Sequence, residues 1–461
     1  MNASHFHRLF TLVLFEIGRF EKALARLQST QYPSRSPKGF IQLLINCLKT
    51  HRLALNEIRE DYSHDPLGGG ARLKSEHRKL VEKFTYLEIL DNSKTDEVPW
   101  SLIPGIERVA GALIPGRRIL TSSTSDLNYQ ISWNTRLPVE MDTYFILLLP
   151  KVHRANAFLH LLVGHELFHP LVDTFVDGER AGVQKLLKEK CSKLLKSADD
   201  DLFKKTRLDQ LVLAAEEVWE FGLKELMCDM GCAAIFGPAG VLSASLFAST
   251  THSLDESPTR AGNYPPWRMR LRTMIRYAVD SDKSARQLTH VCQVLEDHGF
   301  KDERDRFLAA ITNEREIVAL ETDRPVIQSE PIVKIVYEEI EACLDRAWEF
   351  VQSTADKSED CWGQSVSQLP HLLKSLRNAV PPGEVRVAGQ RIGVPASISA
   401  IANASWIHFL SLEFEDDGTR LVEEFKKTCR LMLKAFEDSE LIRHFQSKSA
   451  MEGAHDDSVD N

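Results

Sequence analysis

The chain lacks the features that mark several large classes of protein. It has no excess of positive charge, because 57 Lys and Arg stand against 66 Asp and Glu and the net charge is -9 at pH 7. Binding to nucleic-acid phosphates needs a basic surface, so we expect no nucleic-acid partner. The eight cysteines are scattered and form no C-x-x-C pair. This spacing argues against a disulfide framework and favours a reducing, cytoplasmic compartment.

Long uncharged segments are also scarce. The stretch 231–250 approaches the length of a membrane span, but Gly237 and Pro238 interrupt it and it carries several Ser and Thr. The apolar run 9–17 is short, contains Glu16 and lacks a small-residue cleavage site. We therefore expect buried and amphipathic helices here, and neither a secretory signal nor a membrane helix.

The remaining composition is that of a folded globular protein, with 43% hydrophobic and 8% aromatic residues. Strand-like pieces occur at 118–121, 129–133 and 144–149, and helical periodicity dominates elsewhere. A small sheet followed by helices predicts an α+β fold that is mostly α. We expect four regions: an N-terminal helical region at 1–95, a core at 96–275, a C-terminal helical region at 276–446 and a disordered acidic tail at 447–461.

One short motif contains side chains that can bind a metal ion. His165, Glu166 and His169 form a His-Glu-x-x-His pentad in an apolar segment. Residues four apart share one face of a helix, so both histidines can present a ring nitrogen to the same metal ion. Glu166 projects to the side, where it can hold a metal-bound water. The same pentad also occurs by chance in unrelated sequences. It indicates a metal site only if the chain also supplies a third ligand.

The best source of a third ligand is the apolar helix that follows. Glu225 and Asp229 are four residues apart among Leu, Met, Cys and Ala side chains. A buried carboxylate needs a partner, and a metal ion with its histidines supplies one. We predict that Glu225 ligates the metal while Asp229 accepts the outer N–H of a ligand histidine. Cys228 and Cys232 share one face of this helix with each other, and we assign them to packing because buried apolar thiols are common.

The combination of His165-Glu166-x-x-His169 with Glu225-x-x-x-Asp229 resembles the gluzincin zinc metallopeptidases. The long interval between the two motifs looks more like the HtpX and CAAX-prenyl-protease branch, although that branch usually carries membrane helices. The resemblance covers about 145–275. It implies a zincin-like core with a small sheet and active-site helices, flanked here by the two helical regions.

The same branch has a later His-Pro…Arg motif, which matches the segment from Tyr264 to Leu271. The match puts Arg270 on the family arginine, but Tyr264 stands where the family has histidine. The Tyr264 hydroxyl can donate to an oxyanion, or the Tyr-Pro-Pro sequence simply opens the next helix. Arg270 either lies beside the metal site, as the resemblance to the family arginine implies, or pairs with a carboxylate of the core.

The resemblance implies a Zn²⁺-dependent peptidase acting on a protein or peptide substrate, with Glu166 as general base. The alternative is a non-catalytic or regulatory zinc-binding protein whose helical flanks bind partners. In either case we expect a regulatory protein partner to use the flanks.

Two structural expectations accompany this reading. The strand 144–149 resembles the edge strand on which gluzincins lay an extended substrate. Pro170 follows the second histidine and has no N–H, so we expect the helix to bend or end there.

Overall fold

The computed structural model describes residues 3–132, 143–195, 204–251, 254, 264–319, 331–386, 393–412 and 418–456. The chain forms two compact units. The N-terminal unit consists of Met1–Gly111 and Pro115–Arg154, and the C-terminal unit of Ala112–Ile114 and Ala155–Asn461.

The N-terminal unit packs helices around one apolar core. Apolar residues recur along its first helix at helical spacing, so that one stripe is buried while the other side faces solvent. The buried residues of this helix are Phe6, Val13, Ile17, Phe20, Leu24 and Leu27. The helices of the unit are α1 (Ala3–Gln28), α2 (Ser36–Tyr62), α3 (Pro66–Lys83), α4 (Thr85–Asp91) and α5 (Ile103–Leu113).

A three-stranded sheet completes this unit. Its strands are β1 (Arg118–Thr124), β2 (Gln130–Ser132) and β3 (Tyr144–Pro150), in the order β1-β3-β2. β3 runs parallel to β1 and antiparallel to β2. It is therefore the central strand, and the expectation that it is a free edge for substrate is wrong. The nearly continuous apolar sequence of β3 is typical of a strand that is covered on both sides.

The C-terminal unit is built on two long helices, α6 (Val163–Leu195) and α7 (Lys204–Phe236), which pack against each other along much of their length. The other helices are α8 (Pro238–Thr251), α9 (Trp267–Ile275), α10 (Asp282–Asp297), α11 (Lys301–Ala319), α12 (Pro331–Ala355), α13 (Trp362–Ser365), α14 (Leu369–Arg377), α15 (Ile398–Ser411) and α16 (Gly418–Asp456). Two short strands, β4 (Glu384–Val385) and β5 (Val394–Pro395), pair antiparallel.

Pro170 lies inside α6, which continues to Leu195. The expectation of a helix end at this proline is wrong. Proline removes one backbone hydrogen bond, but α6 is held along α7 by side-chain packing, and tertiary packing supplies most of the stability of a helix in a protein.

The predicted mostly helical α+β fold is confirmed. The two compact units divide near residue 154, so the sheet and the His-Glu-x-x-His helix belong to different units although both fall within the predicted 96–275 core. α16 extends to Asp456, into the segment 447–461 that we expected to be disordered, and 457–461 lies outside the described residues. Among the described helices, none is both long and apolar enough to cross a membrane.

Candidate metal centre

The two motif histidines project from the first turns of α6. Their rings lie 4.9 Å apart between centroids and are nearly perpendicular, at 79°. His165 is buried, whereas the His169 side chain keeps 19% of its surface exposed. The four-residue spacing thus places both imidazoles on one face, as expected, with one of them reachable from solvent.

Glu225 reaches both histidines from α7. Its Oε2 is 3.5 Å from Nε2 of His165 and its Oε1 is 3.8 Å from Nε2 of His169. Zinc ligands bound at about 2.0–2.3 Å in a tetrahedral arrangement are separated by about 3.3–3.6 Å. Glu225 thus lies beside both ring nitrogens at nearly this separation, through a different oxygen for each.

Asp229 lies one turn further along α7 and contacts the other side of His165. Its Oδ1 is 2.8 Å from Nδ1 of His165. A carboxylate that accepts the Nδ1–H of an imidazole leaves Nε2 for a metal and fixes the orientation of the ring. The carboxylate of Asp229 thus lies against a motif histidine, and its role toward a metal ligand stays a prediction.

Arg270, on α9, joins the two acidic residues. Its Nε donates to Oδ2 of Asp229 at 2.7 Å and its Nη2 donates to Oδ1 at 2.8 Å. Nη2 also lies 3.2 Å from Oε2 of Glu225. The guanidinium stacks over the ring of Trp267, 4.1 Å from its centroid. Arg270 thus pairs with core carboxylates and stands beside the predicted site at the same time.

These contacts set the charge states of the cluster. Burial opposes ionisation of Asp229, but the charge and hydrogen bonds of Arg270, together with the His165 hydrogen bond, lower its pKa to about 2. Burial also opposes protonation of His165, but the Asp229 hydrogen bond and the neighbouring carboxylates raise its pKa above the ordinary value. Burial, His165 and Arg270 together lower the pKa of His169 well below the ordinary value. His169 is therefore neutral near pH 7, and a neutral imidazole can bind a metal ion.

The two predicted catalytic residues lie near this cluster. The Oε2 of Glu166 is 3.9 Å from Nε2 of His169, and Glu166 is buried. Tyr264 is half-buried and its ring faces that of Phe221 on α7, with 6.4 Å between centroids. Burial and the charge of Glu225 raise the pKa of Tyr264. Its hydroxyl is thus protonated near neutral pH and can donate a hydrogen bond.

Cys228, which we assigned to packing, also belongs to the cluster. One donor atom from each of His165, His169 and Cys228 lies within 4.8 Å of the other two. Cys228 is fully buried, and burial together with the nearby carboxylates raises the pKa of its thiol well above the ordinary value. The available signal was its helical spacing, because Cys228 lies three residues after Glu225 and shares its face.

The cluster of His165, His169 and Cys228 can hold a metal ion. All eight cysteines are free thiols. Comparison of the chain with protein-family models, with curated proteins and with solved structures finds no match.

Proposed function

We propose that the protein is a zinc-dependent metallopeptidase of the gluzincin type. The observation that carries the proposal is that Glu225 lies 3.5 Å from Nε2 of His165 and 3.8 Å from Nε2 of His169, while Asp229 contacts Nδ1 of His165. Two histidines and a glutamate are a donor set used by catalytic zinc sites, which keep one position open for water or substrate.

The oriented side chains support each part of this chemistry. The zinc ion, when bound, supplies a Lewis acid that polarises a peptide carbonyl and acidifies a water. Asp229 and Arg270 hold His165 and Glu225 in place, so the ligands need little rearrangement when they bind the ion. Glu166, next to His169, takes a proton from the attacking water and delivers it to the leaving amine. The Tyr264 hydroxyl donates to the carbonyl oxygen as negative charge develops there.

We propose protein or peptide chains as substrates, with access under the control of a protein partner. The core motifs occupy a small part of the chain, and the helices on either side provide surface for such a partner. Efficient cleavage of unfolded casein by the purified wild-type protein in the absence of any partner would contradict the partner control.

The zinc site is tested by elemental analysis of the purified full-length chain. We expect about one zinc per chain in the wild type and strong depletion in both His165→Ala and Glu225→Ala. Glu217→Ala is the matched control, because this exposed residue lies on the same helix. If the wild-type protein still contains no zinc after zinc has been added back, the proposed zinc site is wrong.

The peptidase activity is tested separately with Glu166→Gln. This variant keeps the size of the side chain and removes its base, so we expect it to retain zinc and to lose peptide hydrolysis. Glu217→Gln serves as the control with the same change of charge. Proteolysis by Glu166→Gln at the wild-type rate would remove Glu166 from the mechanism.

One observation favours a second candidate, a regulatory protein with a structural zinc site. Cys228 lies close to both histidines, so that together with Glu225 the site offers four possible donors, and structural zinc sites have four protein ligands and no open position. This candidate also requires zinc to be bound, but it requires no role for Glu166. Under it, neither the wild type nor a Cys228 variant hydrolyses peptides.

A further inference from the structure

The thiol of Cys228 is one of the three donor groups that lie close enough together to hold a metal ion. Cys228 is on α7 between Glu225 and Asp229, both of which contact His165. Its side chain is 0% exposed, and its sulfur belongs to the three-donor group in which all separations are within 4.8 Å. Side-chain movements of at most about 1.5 Å bring these atoms to the separations of bound ligands.

A second cysteine on the same helix face provides an internal comparison. Cys232 is one turn further along α7, and its thiol donates to the backbone oxygen of Leu161 at 3.4 Å. The Cys228 thiol makes no hydrogen bond within the described part of the chain. Both thiols are buried, but only that of Cys228 lies beside two imidazoles.

Glu225 is the more constrained of the two candidate third ligands. Its Oε2 is 3.2 Å from Nη2 of Arg270, so part of its negative charge is already balanced by a cation. The charge of Arg270 also acts on the Cys228 sulfur, but within the described part of the chain Arg270 makes no ion pair or hydrogen bond with it. A divalent ion at the cluster therefore has a soft donor available next to a carboxylate that is shared with arginine.

We infer that Cys228 is a fourth protein ligand, which with His165, His169 and Glu225 closes the centre against water. This inference rests on the proposed peptidase function and adds its regulation. On binding, the thiol releases its proton to solvent and a sulfur–metal bond forms. Opening reverses both changes without any oxidation or reduction, because the bond breaks and the sulfur takes up a proton. The resting centre is thus closed, and hydrolysis requires that the thiolate leaves.

The ligand is tested by loading the full-length protein with Co²⁺. A thiolate bound to cobalt gives an intense charge-transfer band in the near ultraviolet, which histidine and carboxylate ligands do not give. We expect this band in the wild type and in Cys232→Ala, and its loss in Cys228→Ala. We also expect the Kd for Co²⁺ to rise by at least about 10- to 100-fold in Cys228→Ala, the loss that removal of a ligand's outer partner alone causes.

A second test asks whether Cys228 blocks the fourth coordination position of the metal. It uses casein as a substrate and acetohydroxamate as a small ligand that binds a metal with an open position. Cys228→Ala retains the two histidines and Glu225, so we expect it to bind Co²⁺, to bind acetohydroxamate and to cleave casein faster than the wild type. The double variant with Glu166→Gln should lose the added cleavage. Circular dichroism checks that both alanine variants are folded, and the wild-type spectrum reports on the sulfur without any substitution.

The outcomes separate this inference from the proposed function. Wild type that binds Co²⁺ without the band, and cleaves casein in a Glu166-dependent manner, overturns the inference and leaves the peptidase intact. Loss of the band in both cysteine variants, or no gain of cleavage in Cys228→Ala, also overturns the inference. Wild type that binds neither Co²⁺ nor Zn²⁺ overturns both.

Discussion

The guanidinium of Arg270 binds both carboxylate oxygens of Asp229, at 2.7 and 2.8 Å, in a fully buried pair. The same carboxylate contacts Nδ1 of His165. Arg270 therefore acts on the orientation of His165, a candidate metal ligand, through Asp229. Such bidentate contacts fix geometry as well as charge.

We predict that Arg270→Lys weakens zinc binding. A lysine ammonium keeps the positive charge but cannot form two parallel hydrogen bonds to Asp229. The expected rise in the Kd for zinc is about 10- to 100-fold, measured by competition with a chelator. Arg276→Lys is the control, because this half-exposed arginine pairs with Glu341 and Asp345 away from the cluster. Equal affinities for Arg270→Lys and the wild type would contradict the positioning role.

A second prediction concerns the close packing of α6 and α7. A Cβ at Gly231 would lie 2.2 Å from the ring of Phe168, and one at Gly164 would lie 3.1 Å from the Cα of Cys232. Gly231→Ala must therefore displace the phenylalanine, and we expect it to destabilise the unit by about 1–3 kcal/mol in urea unfolding. Gly182→Ala on α6 meets open space. This control should instead gain about 0.5–1 kcal/mol from helix propensity.

A third prediction concerns the stability that the bound metal provides. A ligand that binds only the folded state at a concentration of 100 Kd raises the free energy of unfolding by about 2.7 kcal/mol. We expect this gain on addition of zinc to the wild type, its reversal by EDTA, and its absence in His169→Ala. His290→Ala, a substitution of an exposed histidine on α10, should respond like the wild type. A zinc response that persists in His169→Ala would indicate binding elsewhere.

Those parts of the site that depend on one helix at a time could be predicted from the sequence. The spacing of His165 and His169, and that of Glu225 and Asp229, follows from the period of the α-helix. The buried setting of Glu225 followed from its apolar neighbours, since a carboxylate in such surroundings needs a partner. The three strands and the mostly helical fold were also predictable from local patterns.

Features that depend on pairing between distant segments could not be predicted in this way. The order β1-β3-β2 depends on which strands meet, and an apolar run such as β3 gives no information on this. Pro170 signals a helix end locally, but packing along α7 outweighs the loss of one hydrogen bond. Cys228 resembles an ordinary core thiol until the facing histidines are known. In each case the deciding contact comes from another element.

A last prediction concerns pH and a carboxyl group far along the chain from the cluster. Glu314 on α11 lies beside Val241, Leu242 and Ile311, and its Oε2 accepts a hydrogen bond of 2.6 Å from Ser245. Burial raises its pKa above 4.5, and the Ser245 hydrogen bond offsets only part of this effect. The folded state therefore holds this proton more tightly than the unfolded state does.

The sign of the pH effect follows from this difference. The stability that Glu314 contributes is fully present below pH 4.5, and it is lost as the pH rises through the higher folded-state pKa. Glu314→Gln cannot ionise, so we expect the variant to be more stable than the wild type at neutral pH and the difference to shrink towards acid pH. Urea unfolding across this range measures it, with Glu316→Gln, an exposed residue of the same helix, as the control. A difference between Glu314→Gln and the wild type that is constant with pH would show that Glu314 ionises equally in the folded and unfolded states.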